Sequence, residues 1–242
     1  MPLAGLSKED LELLRKYDSP TVCNAIELFE VRPRDAGYTD ARIQACFPEI
    51  PPMVGYASTV TMRASAPAIG DVYSTMDKQV EAFQACLGPP VVVFQDLDSP
   101  SVAATFGEVM CSVYQTFGSV GLVTSGTGRD LEQVRELGFP AFTNGTIASH
   151  GYNHMVDLGR TVHIGGIAIF PNDLLHGDCN GIAVIPNDIA ADVAHICEEF
   201  VAAEQVILDY LKTTDPTPTG LAEARVESTR QIKLLGDRVR KK

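Results

Sequence analysis

The feature that most constrains this chain is a series of short apolar runs alternating with helix-like stretches that stop at glycines. Val91–Phe94 is wholly apolar, the stretch after it ends at Gly118, Val120–Thr124 is apolar again, the next stretch ends at Gly138, and Pro140–Thr143 begins a third run. Runs this short, bounded by turn residues, suit strands buried on both faces. Strand, helix, strand, helix, strand argues for an α/β protein with a parallel sheet covered by helices. Upstream, Gly55–Arg63 alternates and is β-rich, which predicts a strand. Asp77–Leu87 is read as a helix with Val80, Phe83 and Leu87 on one face, broken by Gly88-Pro89-Pro90. Ser99-Pro100-Ser101 carries a helix-start signal. From there the spacing of Val102, Phe106, Val109, Val113 and Phe117 predicts one helix burying those five residues. Leu131–Leu137 is a further short helix.

The flanks are different. Residues 8–17 form a helix pattern capped by Ser7, with Asp10 completing an approximate capping box. Thr21–Phe29 is a second short helix, and Val31–Pro52 reads as an irregular excursion. Val162–Phe170 and Gly181–Pro186 are β-like, separated by a segment opening with the turn Pro171-Asn172-Asp173. There is little room for a helix between Leu174 and Ile182, so these strands should curl into a mixed or barrel-like sheet. Asp188 is placed to cap a long helix through about Leu211, with Val193, Ile196, Phe200 and Ile207 inward. Glu223–Leu234 suggests a last helix. The simplest division is a single domain over residues 1–212 and a helical or flexible arm over 213–242.

Composition narrows the function classes. With 242 residues, 45% apolar and 21% charged, the chain can bury a core without disulfide or metal staples. A net charge of −12 argues against binding nucleic acid by phosphate neutralisation. No apolar run reaches the roughly 18 residues of a membrane helix. The N-terminus lacks the basic start and apolar core of a signal peptide, so the expected location is cytoplasmic. Cys23, Cys46, Cys86, Cys111, Cys179 and Cys197 form no CxxC pair, and mostly apolar neighbours suggest buried free thiols.

In open α/β sheets, ligands sit at the carboxyl ends of strands. Two such ends here are polar: Gln95-Asp96-Leu97-Asp98-Ser99 and Ser125-Gly126-Thr127-Gly128-Arg129-Asp130. Their strands are consecutive, so the ends can share one cleft. Gly126 and Gly128 let backbone approach a ligand. Arg129 suits a forked hold on a carboxylate, Asp130 suits a hard divalent cation such as Mg²⁺, and a helix start at Ser101 offers N–H groups to an anion. A divalent ion beside an arginine polarises a keto acid and stabilises an enolate. The plainer reading of Arg129-Asp130 is a turn followed by a helix cap. Common nucleotide motifs fail, because the P-loop lysine is absent and Leu131 takes the place of the third glycine of GxGxxG. His150 and His154 would face one way on a helix, but HxxxH lacks the glutamate of HExxH, so a polar loop or interface competes with a zinc site. His163 falls in a strand and His176 in a turn or hairpin, neither with an obvious carboxylate partner. Only Lys78 lies in the main body, which disfavours Schiff-base chemistry.

The stretch FGEVMCSVYQTFGSVGLVTSGTGRD, Phe106–Asp130, resembles the RraA-like family, which includes 4-hydroxy-4-methyl-2-oxoglutarate aldolases. It has a glycine-acid pair opening into a helix, then a glycine, a hydrophobic strand and a loop ending in Arg-Asp. A second block agrees: Gly165-Gly166-Ile167 to Pro186 is similar to the family's hydrophobic strand, PGD turn and glycine-hydrophobic stretch. The resemblance implies a layered α/β/β fold with a swivelling β/β/α-type core, assembled as a homotrimer or homohexamer with sites at subunit contacts. It implies that Asp130 holds Mg²⁺ or Mn²⁺ largely with waters, that Arg129 binds the pyruvate-like part of an oxo-acid substrate, and that Glu108 acts through a cation-held water. Backbone N–H groups across Phe106, Gly107, Glu108 and Val109 would receive the carboxylate, and Glu199 or Glu204 of a neighbouring subunit would enter the site. The implied reaction is retro-aldol cleavage of a 4-hydroxy-2-oxo dicarboxylic acid to pyruvate, with oxaloacetate decarboxylation through the same enolate. A regulator branch of the family binds and inhibits a ribonuclease instead. The chain departs from the family pattern at Ser125, Thr127-Gly128, Asn172 and Gln95–Asp98, and Ala148–Gly159 is unusual.

Overall fold

The computed structural model describes residues 4–70 and 73–241. Two short helices open the chain, α1 (Lys8–Leu14) and α2 (Ser19–Glu27). The Ser7 hydroxyl accepts the Asp10 N–H at 3.0 Å and Asp18 accepts that of Thr21 at 2.8 Å, so each helix has a side-chain cap. There follow β1 (Gln44–Ala45), β2 (Met53–Arg63), α3 (Met76–Ala82), β3 (Pro90–Asp96), β4 (Ala104–Phe106), α4 (Glu108–Thr116), β5 (Gly121–Thr124), β6 (Thr127–Gly128), α5 (Leu131–Glu136) and β7 (Ala141–Thr143). The chain ends with β8 (His154–Leu158), β9 (Val162–Ile164), β10 (Ile167–Ile169), β11 (Leu174–Asp178), β12 (Gly181–Ile185) and two long helices, α6 (Ala190–Leu211) and α7 (Pro218–Val239).

The main sheet is mixed and nearly closed. Its order is β1-β7-β5-β3-β2-β11-β12, with β8 also on β2. The neighbours β2, β3, β5 and β7 are parallel, whereas β11 and β8 join β2 antiparallel. Val31–Pro52, expected to be irregular, closes the circuit. Val184 donates to the Gly37 carbonyl at 2.8 Å and Thr39 to that of Ile182 at 2.9 Å, on β12. A few residues on, β1 pairs with β7 at the other side of the sheet. The expected strand Val162–Phe170 is instead the hairpin β9–β10, turned by Gly165 and Gly166 at φ +50° and +84°.

Helices and the small hairpin cover both faces. On β3, Val91 and Val93 pack with Met53, Val123, Phe142 and the β9–β10 side chains, while Val92 and Phe94 pack with Phe106, Tyr114, Leu122 and Phe139. Burial on both faces is why this strand has no polar alternation. Each such side chain contributes about 1.5–3 kcal/mol on leaving water. A third cluster joins α1, α2 and α6 to Val54, Tyr56, Leu174 and Ile185, with Ile232, Leu235 and Val239 of α7 against it.

Several expectations need correction. Residues 99–103 are not helical. Ala104–Phe106 is a strand paired with β6, and the helix begins only at Glu108 after extended Gly107. Phe106 is buried, but Val102, Val109 and Phe117 are 48%, 72% and 60% exposed, against the inward placement their spacing suggested. The long late helix starts at Ala190 with Ile189 at its cap and no side-chain cap bond, so Asp188 does not cap it. The last helix is longer than expected, running from a Thr217 cap. All six thiols are free, but only Cys111 and Cys197 are buried and Cys179 is exposed.

His176 lies in the β11–β12 hairpin, one of the two expected placements, as a fully buried side chain of β11. Its Nε2 lies 3.2 Å from the Leu14 carbonyl, which can only accept, so Nε2 carries the proton and Nδ1 accepts from the Ser19 hydroxyl at 2.9 Å. Asp178 accepts the Ser19 N–H at 2.8 Å. Burial lowers the imidazole pKa below its ordinary 6.5, outweighing the Leu14 bond and the Asp178 charge. The unfolded chain therefore binds more protons here as pH falls through about 6.5, and stability drops with it. Thermal melts between pH 7.5 and 5.5 should show a falling Tm, about 2–4 °C per kcal/mol lost. His176→Asn, which keeps an acceptor for Ser19, should flatten that slope, and an unchanged slope would refute the assignment.

Candidate active site

The β3 and β5 ends do meet, as adjacency required. Asp96 N–H donates to the Ser125 hydroxyl at 2.9 Å, and Asp98 N–H to Asp96 Oδ1 at 2.9 Å. Gly126 is needed for this approach, because a Cβ there would lie 2.8 Å from Asp96 Oδ2 and from a Thr105 methyl. Burial holds the Asp96 carboxyl above its usual range, against hydrogen bonds from Ser101 and Asp98. Burial also pushes Asp98 up, but bonds from Ser65 and Ala64 and the Arg63 charge outweigh it, so that carboxyl lies low.

Beyond these ends β4 and β6 form a two-stranded sheet of their own, and the predicted site residues follow directly from its two strands. Arg129 N–H donates to the Phe106 carbonyl at 3.1 Å. The Asp130 carboxylate accepts the Glu108 N–H at 3.2 Å and lies 3.6 Å from Arg129 Nε. Gly107 makes this convergence possible. Its φ of −160° suits any residue, but a Cβ would stand 2.5 Å from Asp130 Oδ2 and 3.1 Å from Arg129 Nε. Asp130 occupies the cap position of α5 at φ +55° yet makes no side-chain cap bond. The plain turn-and-cap reading is thus half right: the backbone is that of a cap, but the carboxylate points to α4. Left-handed aspartate is tolerated better than most residues.

The structure therefore brings Gly107, Glu108, Arg129 and Asp130 together, with the Arg129 and Asp130 side chains each 37% exposed. The helix start that can offer N–H groups is at Glu108, not Ser101. Phe106 contributes backbone only, since its ring fills the space where a Gly128 Cβ would be. The Val109 side chain faces solvent. Glu199 is ion-paired with Arg238 at 3.0 Å, and the Glu204 carboxyl is raised by partial burial and then by the Asp18 charge.

The unusual late segment runs beside this small sheet. Gly128 donates to Gly145 at 3.0 Å, Ile147 to Gly128 at 3.1 Å and Ala104 to Ser149 at 2.8 Å. His150 and His154 do not share a helix. The first lies in this strap, with Nδ1 2.8 Å from the Gly151 carbonyl. The second opens β8 and stacks edge-on against Tyr73 with ring centroids 4.3 Å apart. His163 sits in β9, its backbone N–H held by Gln95 at 2.9 Å. Among the described residues no three of His, Cys, Asp and Glu gather as a metal-ligand cluster.

A family profile described as RraA-like, Aldolase/RraA, matches residues 19–184. The chain belongs to the RraA-like family. Within curated proteins it is 31% identical over 131 residues to a putative 4-hydroxy-4-methyl-2-oxoglutarate aldolase of Halalkalibacterium halodurans, covering 54% of this chain and 58% of that relative's length. The RraA-like fold recurs in solved structures. An uncharacterized protein from Pseudomonas syringae pv. tomato superposes with a TM-score of 0.73 at 20% identity, covering 93% of this chain and 97% of the other. An unusual member of the RNase ES inhibitor RraA protein family from Streptomyces coelicolor gives 0.67 at 24% identity, covering 82% and 96%. At these identities the two structures speak to fold alone, and they agree with the layered mixed-sheet architecture described above. No described helix is long and apolar enough to cross a membrane.

Proposed function

We propose that this RraA-like protein is a divalent-cation-dependent lyase that cleaves a 4-hydroxy-2-oxo dicarboxylic acid to pyruvate, and also decarboxylates oxaloacetate. The observation that carries the reading is the missing Cβ at Gly107, which seats the Asp130 carboxylate and the Arg129 guanidinium together at the start of α4. The donor set fits Mg²⁺ or Mn²⁺. Such ions are commonly held by one or two carboxylates with water and substrate filling the rest, and Asp130 offers one partly exposed carboxylate not spent on its own helix. The cation, when bound, supplies positive charge opposite the oxygen that becomes negative as the carbon–carbon bond breaks.

The chain's own residues supply the rest. Arg129 holds the 2-oxo acid carboxylate with forked N–H groups, and the first free N–H groups of α4 add a second anion contact. Glu108, exposed at the first position of that helix, takes the C4 hydroxyl proton through water. The C3–C4 bond then breaks, the C4 oxygen becomes a carbonyl, and the electron pair passes to pyruvate as its enolate, which is protonated at carbon. Assembly as a trimer or pair of trimers would bring Glu199 or Glu204 of another copy to the rim.

A second reading, a non-catalytic regulator that binds a ribonuclease or another protein, is favoured by one observation. Val109 in the first turn of α4 stands exposed beside Glu108, with Val102 exposed upstream, and Phe117 is exposed at the other end of that helix. One experiment separates the two: oxaloacetate and a panel of 4-hydroxy-2-oxo acids, assayed for pyruvate with Mg²⁺ and with a chelator. Pyruvate release that stops on chelation is the expected result. Release indifferent to the chelator removes the cation role. No turnover, together with tight binding to a ribonuclease, establishes the regulator.

A further inference from the structure

A cleft of about 400 Å³ shares no residue with the Arg129 site and lies between α7, the end of α2 and Phe200 of α6. That volume falls in the range of small-molecule sites. Its residues recur at helical spacing, Asn24, Glu27 and Leu28 along α2 and its cap, and Thr229, Ile232, Lys233 and Gly236 along α7. Each helix therefore gives the cleft one face. The floor is apolar. Leu28 and Phe200 are 7% and 5% exposed, and Ile232 packs against the same core cluster.

The charged groups around that floor are spent on one another, with one exception. Arg34 Nε lies 3.3 Å from Glu27 Oε2. Arg240 Nη1 donates to the Leu28 carbonyl at 2.9 Å and to Glu30 Oε1 at 3.0 Å, and its Nη2 donates to Asp237 at 3.0 Å. It thereby covers the negative end of α2 and one acid of the cleft. Gly236 makes room for this, since a Cβ there would stand 2.9 Å from Arg240 Nη1. Arg34, Lys233 and Arg240 against Glu27 and Glu30 leave the lining one positive charge in surplus, in a chain of net charge −12. The surplus is Lys233. Among the described residues its ammonium has no hydrogen bond or ion pair, and the Asn24 amide and the Thr229 hydroxyl, one turn before Lys233, are equally untaken. An unpaired lysine on an open surface is satisfied by water, but this one stands over a concave apolar floor. One free ammonium matches one carboxylate. A phosphate or a diacid would call for a second free cation, and both arginines are already paired with acids.

We propose that this cleft binds a small monocarboxylate with an apolar body, the carboxylate held by Lys233 and the body by Leu28, Phe200 and Ile232. Such a ligand touches α2 and α7 at once and ties the C-terminal arm to the domain. The site is independent of the oxo-acid reading of Arg129. Isothermal titration of the full chain with naphthalene-2-carboxylate and with its neutral amide, naphthalene-2-carboxamide, tests it. The wild type should bind the carboxylate about 3- to 10-fold more tightly, the scale of a partly exposed charged pair. Lys233→Met should bring the carboxylate down to the affinity of the amide and leave the amide unchanged, and Lys233→Arg should keep the preference. Thr229→Trp, at an exposed helix position, fills the cleft and should abolish binding of both. Melting temperatures near that of the wild type show that each variant is folded. No binding of the carboxylate, equal affinity for both probes in the wild type, a preference that survives Lys233→Met, or undiminished binding in Thr229→Trp overturns the proposal.

Discussion

Asp130→Asn should lose Mg²⁺-dependent pyruvate release by about 100- to 1,000-fold, the scale of removing one charge-stabilising group from a reaction site. The substitution is chosen for what it preserves. Asparagine tolerates the left-handed backbone at φ +55° and keeps an oxygen for the Glu108 N–H at 3.2 Å. Only the negative charge goes, so the melting temperature should stay near that of the wild type. Asp130→Ala removes charge and acceptor together and should be at least as inactive. A retained tenth of wild-type activity in either variant would mean that the carboxylate does not hold the cation.

Gly107→Ala should be nearly as damaging to activity, although it adds a single methyl group. The new Cβ would fall 2.5 Å from Asp130 Oδ2 and 3.1 Å from Arg129 Nε, so at least one of them must move. A displacement of about 1 Å in a positioned group lowers rate on the order of 100-fold. The residues displaced are partly exposed, so stability should change little. Wild-type kcat/KM in this variant would show that the Arg129–Asp130 contact has no part in catalysis. A lost Tm with intact specific activity would make Gly107 a packing residue only.

The fold was legible where burial is two-sided. Val91–Phe94 and Val120–Thr124 are apolar without alternation because both faces are covered, and their glycine-bounded neighbours had to be helices or turns. It was illegible where an element is shorter than its own period. Three residues of β4 cannot display alternation, and Val102, Phe106, Val109, Val113 and Phe117 mimic a helical stripe across a strand, an extended glycine and a true helix. Val31–Pro52 carries no local pattern because its order comes from partners such as Val184 and Phe142, about a hundred or more residues away.

The same division holds at the site. Arg129 and Asp130 stood out because glycines and a strand end flank them, and Glu108 because of the family resemblance. The Asp130 carboxylate could not be read correctly from local rules. An aspartate before a short helix normally caps it, and only the folded path of Gly107 offers a better N–H.

The segment that touches both β12 and β7 also bears on how this protein behaves in a crowded mixture. An outermost strand left bare presents a row of hydrogen-bonding groups on which a foreign chain can grow. Here Gly37–Thr39 occupies one such row and Gln44–Ala45 the other, so a single peptide strap works as a clasp over both. Cutting the chain between these two contacts would unfasten the clasp and turn a self-contained protein into a template for aggregation.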